Sequence, residues 1–190
     1  MSKNSKFWIV TDLDGTLMDD NYDISPARKT LNLLSELDIP VIPCTSKTAS
    51  EVRYFREVNG LFDPFIVENG AAVYGNYENN SSEWQLILGE SYQKLRIVLK
   101  NISKIVNYHL TPLNDLNKNQ IFDLTGLSNQ GINRALDRQW SVPFLNPPDD
   151  IFEEVKLICD SYHVHVFKGN RMSHLLSCES HKGKAVNKLK

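Results

Sequence analysis

The sequence predicts an α/β fold: a parallel sheet with helical crossovers, interrupted by a second, α+β module. Three observations carry this reading. As far as Val67, short apolar runs alternate with helical patterns, and each run ends in polar residues. From Trp84 the pattern changes to longer amphipathic helices with short strand candidates between them. At His181-Lys182-Gly183-Lys184 the first pattern returns.

The elements follow in order. Phe7-Trp8-Ile9-Val10 is continuous and apolar and stops at acidic and glycine residues, as a central strand covered on both faces would. Ser25-Pro26 reads as an N-cap followed by proline at the first helical position, with Leu31, Leu34 and Leu37 at helical spacing. Ile39 to Cys44 is a second strand, Thr48 to Val58 a helix, and Pro64 to Val67 a third strand ending in Glu68-Asn69-Gly70. Ala71 to Tyr77 reads as a hairpin leading out of the sheet, and the polar stretch Asn76 to Ser82 as a linker. Beyond it, helices are expected at Ser91 to Ile105 (Leu95, Val98, Leu99 and Ile102 on one face), Asn129 to Arg138 and Ile151 to Ser161. Strands are expected at Ser141 to Leu145, His163 to Phe167 and His174 to Ser177. The expected domains are a core of residues 1–83 and 172–190 and an inserted module of residues 84–171.

Composition bounds the function. The chain has 190 residues, 41% hydrophobic and 23% charged, with a formal net charge of −2. No basic excess points to nucleic acid. The N-terminal apolar run, Phe7-Trp8-Ile9-Val10, is too short for a membrane span or a secretory leader. Cys44, Cys159 and Cys178 lie too far apart for a zinc or redox spacing, and an odd cysteine count points to a reducing, cytoplasmic setting.

In parallel sheets ligands bind beyond the carboxyl ends of the strands, where the three polar clusters fall. Asp12 and Asp14 alternate along extended chain, so both carboxylates can face one side. Gly15 permits a sharp turn and close approach of a ligand. One carboxylate attacking phosphorus would form an acyl-phosphate, and the second would move protons for the leaving alcohol and the incoming water. Two carboxylates meeting a phosphate dianion need a cation between them, and Mg2+ suits an all-oxygen site. Thr45 and Ser46 offer hydroxyls and N–H groups to phosphate at a helix start; standing alone they would be an ordinary N-cap. Lys47 could reach an anionic substrate group. Lys182, at a strand-to-helix junction, is placed to offset charge on the phosphoryl group, while Lys184 reads as a solvated lysine and His181 as a flanking residue.

Asp12-Leu13-Asp14-Gly15-Thr16, Thr45 and Lys182 together resemble the haloacid dehalogenase superfamily of phosphatases. The finer resemblance is to mannosyl-3-phosphoglycerate phosphatases and their glucosyl-acting relatives. It rests on Cys44-Thr45-Ser46-Lys47-Thr48, Phe65-Ile66-Val67-Glu68-Asn69-Gly70-Ala71, Leu124-Thr125-Gly126-Leu127, Ser141-Val142-Pro143-Phe144, Arg171, His174-Leu175 and Lys182-Gly183-Lys184-Ala185-Val186. It spans nearly the whole chain.

The resemblance implies a Rossmann-like core, C-terminally incomplete, carrying a cap of the C2B type. It implies Asp12 as nucleophile and metal ligand, and Asp14 as acid/base and a ligand through its backbone carbonyl. Thr45, Ser46 and Lys182 would hold phosphate, and Lys47 and Asn69 would line the substrate pocket. Arg138, Ser141, Arg171 and His174 are candidates for the glycerate carboxylate or the sugar, as alternatives to surface charges or core polar groups. Val142 stands where this group is expected to carry an acidic residue. The implied cofactor is Mg2+, and the implied partner is a small phosphorylated substrate, a glycosyl phosphoglycerate, with no nucleic acid and no membrane.

A fourth motif, Gly-Asp followed by a further Asp, is expected after the helix that starts at Lys182, and Asp149-Asp150 is not assigned that role. The expectation is either a fragment of a longer phosphatase or a natural truncation with reduced or no activity. Alternatives are a remnant that only binds, a phosphotransferase using the same aspartyl-phosphate, and a phosphatase for another sugar phosphate such as sucrose phosphate.

Overall fold

The structure is a computed structural model and describes residues 7–19, 22–77 and 82–189. It divides into two compact units, residues 1–87 with 181–190, and residues 88–180.

In the first unit, β1 (Ile9–Thr11) pairs parallel with β2 (Val41–Pro43), Val10 opposite Ile42. A parallel bridge between Cys44 and Ile66 joins β2 to β3 (Phe65–Val67). The crossover helices are α1 (Ser25–Glu36) and α2 (Ala49–Asn59). Strands β4 (Ala72–Asn76) and β5 (Glu83–Ile87) continue antiparallel from β3. α2 ends in Gly60 and begins with a capping box, in which Thr48 accepts from the Glu51 N–H and Glu51 accepts from the Thr48 N–H. Phe65 and Tyr74 stack at 5.4 Å between ring centroids, anchoring β3 to β4.

The observed elements depart from several of these expectations. β1 is not covered on both faces: Ile9 and Val10 are 41% and 37% exposed, and β2 is its one partner strand among the described residues. Ser25 is the first helical residue rather than the cap. Ile24 holds that position, and the Ser25 hydroxyl donates to Asp23 Oδ1 instead. Leu31 is buried but Leu37 is exposed, since the helix ends at Glu36 before its apolar stripe comes round again. The expected linker is the hairpin between β4 and β5: Asn76 pairs with Glu83 and the Tyr77 N–H donates to Ser82 O. Residues 78–81 of that stretch lie outside the described residues.

The second unit is built on an antiparallel sheet in the order β6 (Val142–Leu145), β8 (Met172–Ser177), β7 (Val164–Lys168). Helices α3 (Tyr92–Ile105) and α6 (Asp149–Cys159) pack with it in one core of Leu95, Leu99, Ile102, Val142, Phe144, Val155, Val166 and Leu175. Ser91 caps α3 and the acids Asp149 and Asp150 open α6. A smaller cluster of Leu113, Ile121, Ile132 and Met172 holds α4 (Lys118–Thr125) and α5 (Asn129–Leu136). The sequence pattern did not single out α4 as a helix.

The unit boundaries differ from the expected ones at both ends. Residues 84–87 stay with the first unit because β5 pairs with β4, and residues 172–180 join the second because β8 lies between β6 and β7. The chain re-enters the first unit as α7 (Lys182–Lys188), capped by His181, whose Nδ1 accepts from the Gly183 N–H. His181 is thus the residue that starts the helix. Among the described residues no helix is long and apolar enough to cross a membrane.

Candidate active site

The chain after β1 closes into a tight turn. Gly15 donates to Met18 O at 2.9 Å, Thr16 and Met18 both donate to Leu13 O, and buried Leu13 and Met18 anchor the turn from below. Gly15 carries a φ of 69°, the left-handed conformation that makes the bend inexpensive without a side chain. The turn leaves Asp12 and Asp14 partly exposed. Asp12 Oδ1 accepts from the Leu13 N–H at 2.8 Å, and its Oδ2 accepts from Lys182 Nζ at 2.5 Å.

The end of β2 is laced to the end of β3. Thr45 donates its N–H to Ile66 O at 3.0 Å, Glu68 donates to Lys47 O, and Asn69 donates to Thr45 O, both at 2.9 Å. Thr45 is fully buried, and its hydroxyl oxygen accepts from the Lys47 N–H at 3.2 Å. Ser46 is half-buried beside it. Lys47 Nζ lies 3.0 Å from Asp14 Oδ1 and 3.6 Å from Glu51 Oε1, with the Tyr22 ring centroid at 4.9 Å. Burial pulls the Lys47 ammonium down, but Glu51 and Asp14 outweigh it, so its pKa is raised and it stays charged at neutral pH.

Glu68, Asn69 and Gly70 all have positive φ, 46°, 61° and 92°, three left-handed residues in a row. Such backbone is costly for residues other than glycine and persists where the surroundings demand it. The demand here is close packing. A Cβ on Gly70 would stand 2.3 Å from the His181 carbonyl carbon and 2.5 Å from the Lys182 nitrogen, so α7 starts directly against this turn. Asn69 is buried, and its amide Nδ2 has no hydrogen-bond acceptor among the described residues. A buried donor without a partner is uncommon and marks a place where a ligand oxygen would be satisfied.

Asp12, Asp14, Thr45, Ser46, Lys47, Asn69 and Lys182 therefore gather at the strand ends of the first unit. Sequence reasoning missed Glu51, the second anion beside Lys47, although Thr48-x-x-Glu51 is legible as a capping box. It also missed the role of Gly70. Cys44 lies close enough to feel the same charges: burial pushes its thiol up to about 11, with Lys182 opposing and Asp12 adding to the rise. It is inert as a nucleophile at neutral pH.

The remaining candidates lie in the second unit. Arg138 donates from Nη1 to Ser141 Oγ at 3.4 Å and from Nε to Ala135 O at 3.2 Å. His174, opposite Pro143 in the sheet, stacks on Phe167 with ring centroids 5.1 Å apart, and its buried Nδ1 has no partner among the described residues. Burial, aided by the nearby Arg138 charge, pushes the His174 pKa down to about 3, so the imidazole is neutral. Arg138, Ser141 and His174 thus form one neighbourhood. Arg171 is turned toward α4, where its Nη1 donates to Thr125 O at 3.1 Å. Asp149 and Asp150 open α6 in this unit, and Asp149 pairs with Lys168.

The metal question turns on the donor set. Asp12 and Asp14 are hard oxygen donors, and Mg2+ is commonly held by one or two carboxylates with phosphate and water completing its shell. The two fit the ion in kind. Among the described residues no group of three or more His, Cys, Asp or Glu side chains could hold a metal ion.

Residues 9–135 match the family model of haloacid dehalogenase-like hydrolases. The chain is 33% identical over 196 aligned residues to the glucosyl-3-phosphoglycerate/mannosyl-3-phosphoglycerate phosphatase of Methanococcoides burtonii, covering 97% of this chain and 72% of the relative. It is 30% identical to the protein of the same description from Persephonella marina, covering 96% and 71%. Among solved structures it is similar to Thermoplasma acidophilum 0175, with a TM-score of 0.69, 20% identity and coverage of 97% and 70%. A haloacid dehalogenase-like hydrolase from B. subtilis gives a TM-score of 0.69 at 14% identity, covering 96% and 77%. Sequence and fold agree: the chain belongs to the haloacid dehalogenase-like hydrolases, on the branch of the glucosyl-3-phosphoglycerate/mannosyl-3-phosphoglycerate phosphatases.

Proposed function

We propose that the chain carries the nucleophile, phosphate-binding and cap residues of a cytoplasmic Mg2+-dependent phosphatase for glucosyl- or mannosyl-3-phosphoglycerate. The observation that carries the proposal is Asp12, presented at a strand end with Lys182 on its Oδ2 and Asp14 two residues on. The names of the relatives support the substrate class.

In this reading an Asp12 carboxylate oxygen attacks phosphorus, a P–O bond forms, and the bond to the glycerate oxygen breaks. Asp14 gives that oxygen a proton. Water then attacks phosphorus, Asp14 takes a proton from it, and the Asp12–phosphorus link breaks to leave phosphate and the free carboxylate. Lys182 and the Thr45 hydroxyl hold phosphoryl oxygens, Ser46 adds a donor beside them, and Lys182 offsets charge as it builds. Lys47 keeps Asp14 oriented, and Asn69 Nδ2 finds its missing acceptor on the substrate. Asp12, through its carboxylate, and Asp14, through its backbone carbonyl, would hold Mg2+, which when bound supplies charge neutralisation between carboxylates and phosphate. Arg138, Ser141, Arg171 and His174 are the proposed contacts to the carboxylate or sugar.

The test is phosphate release from glucosyl- and mannosyl-3-phosphoglycerate beside sucrose phosphate and free hexose phosphates, with and without chelator. Turnover of the phosphoglycerates, lost with chelator and in Asp12→Asn, is expected. A wide preference for hexose or sucrose phosphate would overturn the substrate class. Binding without turnover would favour a chain that only binds.

A further inference from the structure

We propose that two copies of this chain associate about a two-fold axis through their second units, α3 of each copy lying against α6 of the other. The charges on these helices carry the argument. Most charged residues on the two helices are already matched within the chain: Lys94 with Glu90, Arg96 with Asp115, Glu153 with Lys156, and Asp149 with Lys168. Four are not. Lys100 and Lys104 on α3, and Asp150 and Glu154 on α6, are exposed and have no ion-pair partner among the described residues.

The two sets are complementary in sign and in spacing. Each is an i, i+4 pair, about 6 Å apart along its helix, so one pair can lie across the other with both contacts made. Each is accompanied by exposed apolar surface. Ile97 and Ile105 on α3 are 63% and 53% exposed, and Leu157 on α6 is 79% exposed.

α3 also borders a groove of about 580 Å³, lined by Ile97, Lys100, Ser103, Lys104 and the paired Arg96 and Asp115. Leu157 of a second copy, flanked by Glu154 and Asp150, has the matching character. The apolar side chains supply the affinity, since exposed ion pairs contribute little, and the charges set register and partner.

Because α3 and α6 share one core, one docking of α3 on α6 implies the reciprocal docking under two-fold symmetry. The interface lies wholly within the second unit, so it does not depend on the chemistry proposed for the first.

The experiment is sedimentation of the whole chain at low and high ionic strength. The expected result is a concentration-dependent dimer that weakens with salt. Lys100→Glu/Lys104→Glu should weaken self-association at least about tenfold, and so should Asp150→Lys/Glu154→Lys. The first variant is acidic on both helices and the second basic on both, so mixing them should produce a heterodimer. Exchanging all four charges in one chain should restore the homodimer. Damage to the fold would not be repaired by mixing, so recovery separates an interface from a structural defect. A wild-type chain that stays monomeric at high micromolar concentration would overturn the proposal. So would charge variants that remain dimeric, or two variants that fail to pair.

Discussion

Lys182 donates from Nζ to Asp12 Oδ2 at 2.5 Å across 170 residues of sequence, and both side chains remain more than one-third exposed. In so open a setting the pair adds little to stability, and its value lies in where it places the ammonium. Replacing Lys182 with Met should leave the fold intact and lower kcat about 10²–10³-fold, the usual cost of losing one preorganised donor to a developing charge. Single-turnover phosphate release alongside a thermal melt measures both quantities. An unchanged kcat would remove Lys182 from the chemistry.

Gly70 decides how close α7 can come. In Gly70→Ala the new Cβ meets the His181 carbonyl carbon at 2.3 Å in a backbone held at φ 92°. Alanine's gain from a less disordered unfolded chain, about 0.4–1 kcal/mol, is smaller than the combined cost of clash and strain. A net loss of roughly 1–3 kcal/mol is expected in urea unfolding. Activity should fall too, because the α7 start carries Lys182.

Lys47 links Asp14 to Glu51. In Lys47→Met the ammonium that holds the Asp14 carboxylate in place is gone. The expected fall in kcat is about tenfold or more, with the thermal melt little changed. Lys47→Arg, which keeps the charge, should recover part of the loss. An unchanged kcat would mean that Lys47 serves only in structure.

His174 gives the second unit an acid sensitivity. Folded, its imidazole takes a proton only near pH 3, held down by burial and by Arg138, while in the unfolded chain it does so near 6.5. Between these values the unfolded state binds about one more proton. Stability therefore rises with pH across this window and is lost as pH falls below 6.5, by up to about 1.4 kcal/mol per pH unit. Urea midpoints at pH 7 and pH 5 should differ more for the wild type than for His174→Gln. Equal differences in the two proteins would show that the acid loss comes from other groups.

The Asp12 turn was readable in the sequence because it is local. An apolar run followed by Asp-x-Asp-Gly-Thr reports its own turn, and Thr48-x-x-Glu51 its own cap. The strands and most helices were readable for the same reason, their periodicity being written in neighbouring residues. Burial of β1 was misread, since it depends on which distant elements pack over its faces, and so was the Ser25 cap, where Asp23 claims the hydroxyl. The edge between the units was misread because membership of β5 and β8 is decided by their partner strands.

By itself the sequence determined which carboxylates, hydroxyls and amines the chain carries, their order and the strand ends that hold them, because backbone propensity and hydrophobic spacing act over a few residues. Only the tertiary structure decided that Lys182 stands on Asp12, that Lys47 joins Asp14 to Glu51, and that Gly70 lies against His181. These relations join residues far apart in the chain or on different elements. They are set by how closely the packed strand ends and helix starts approach one another, which local spacing does not encode.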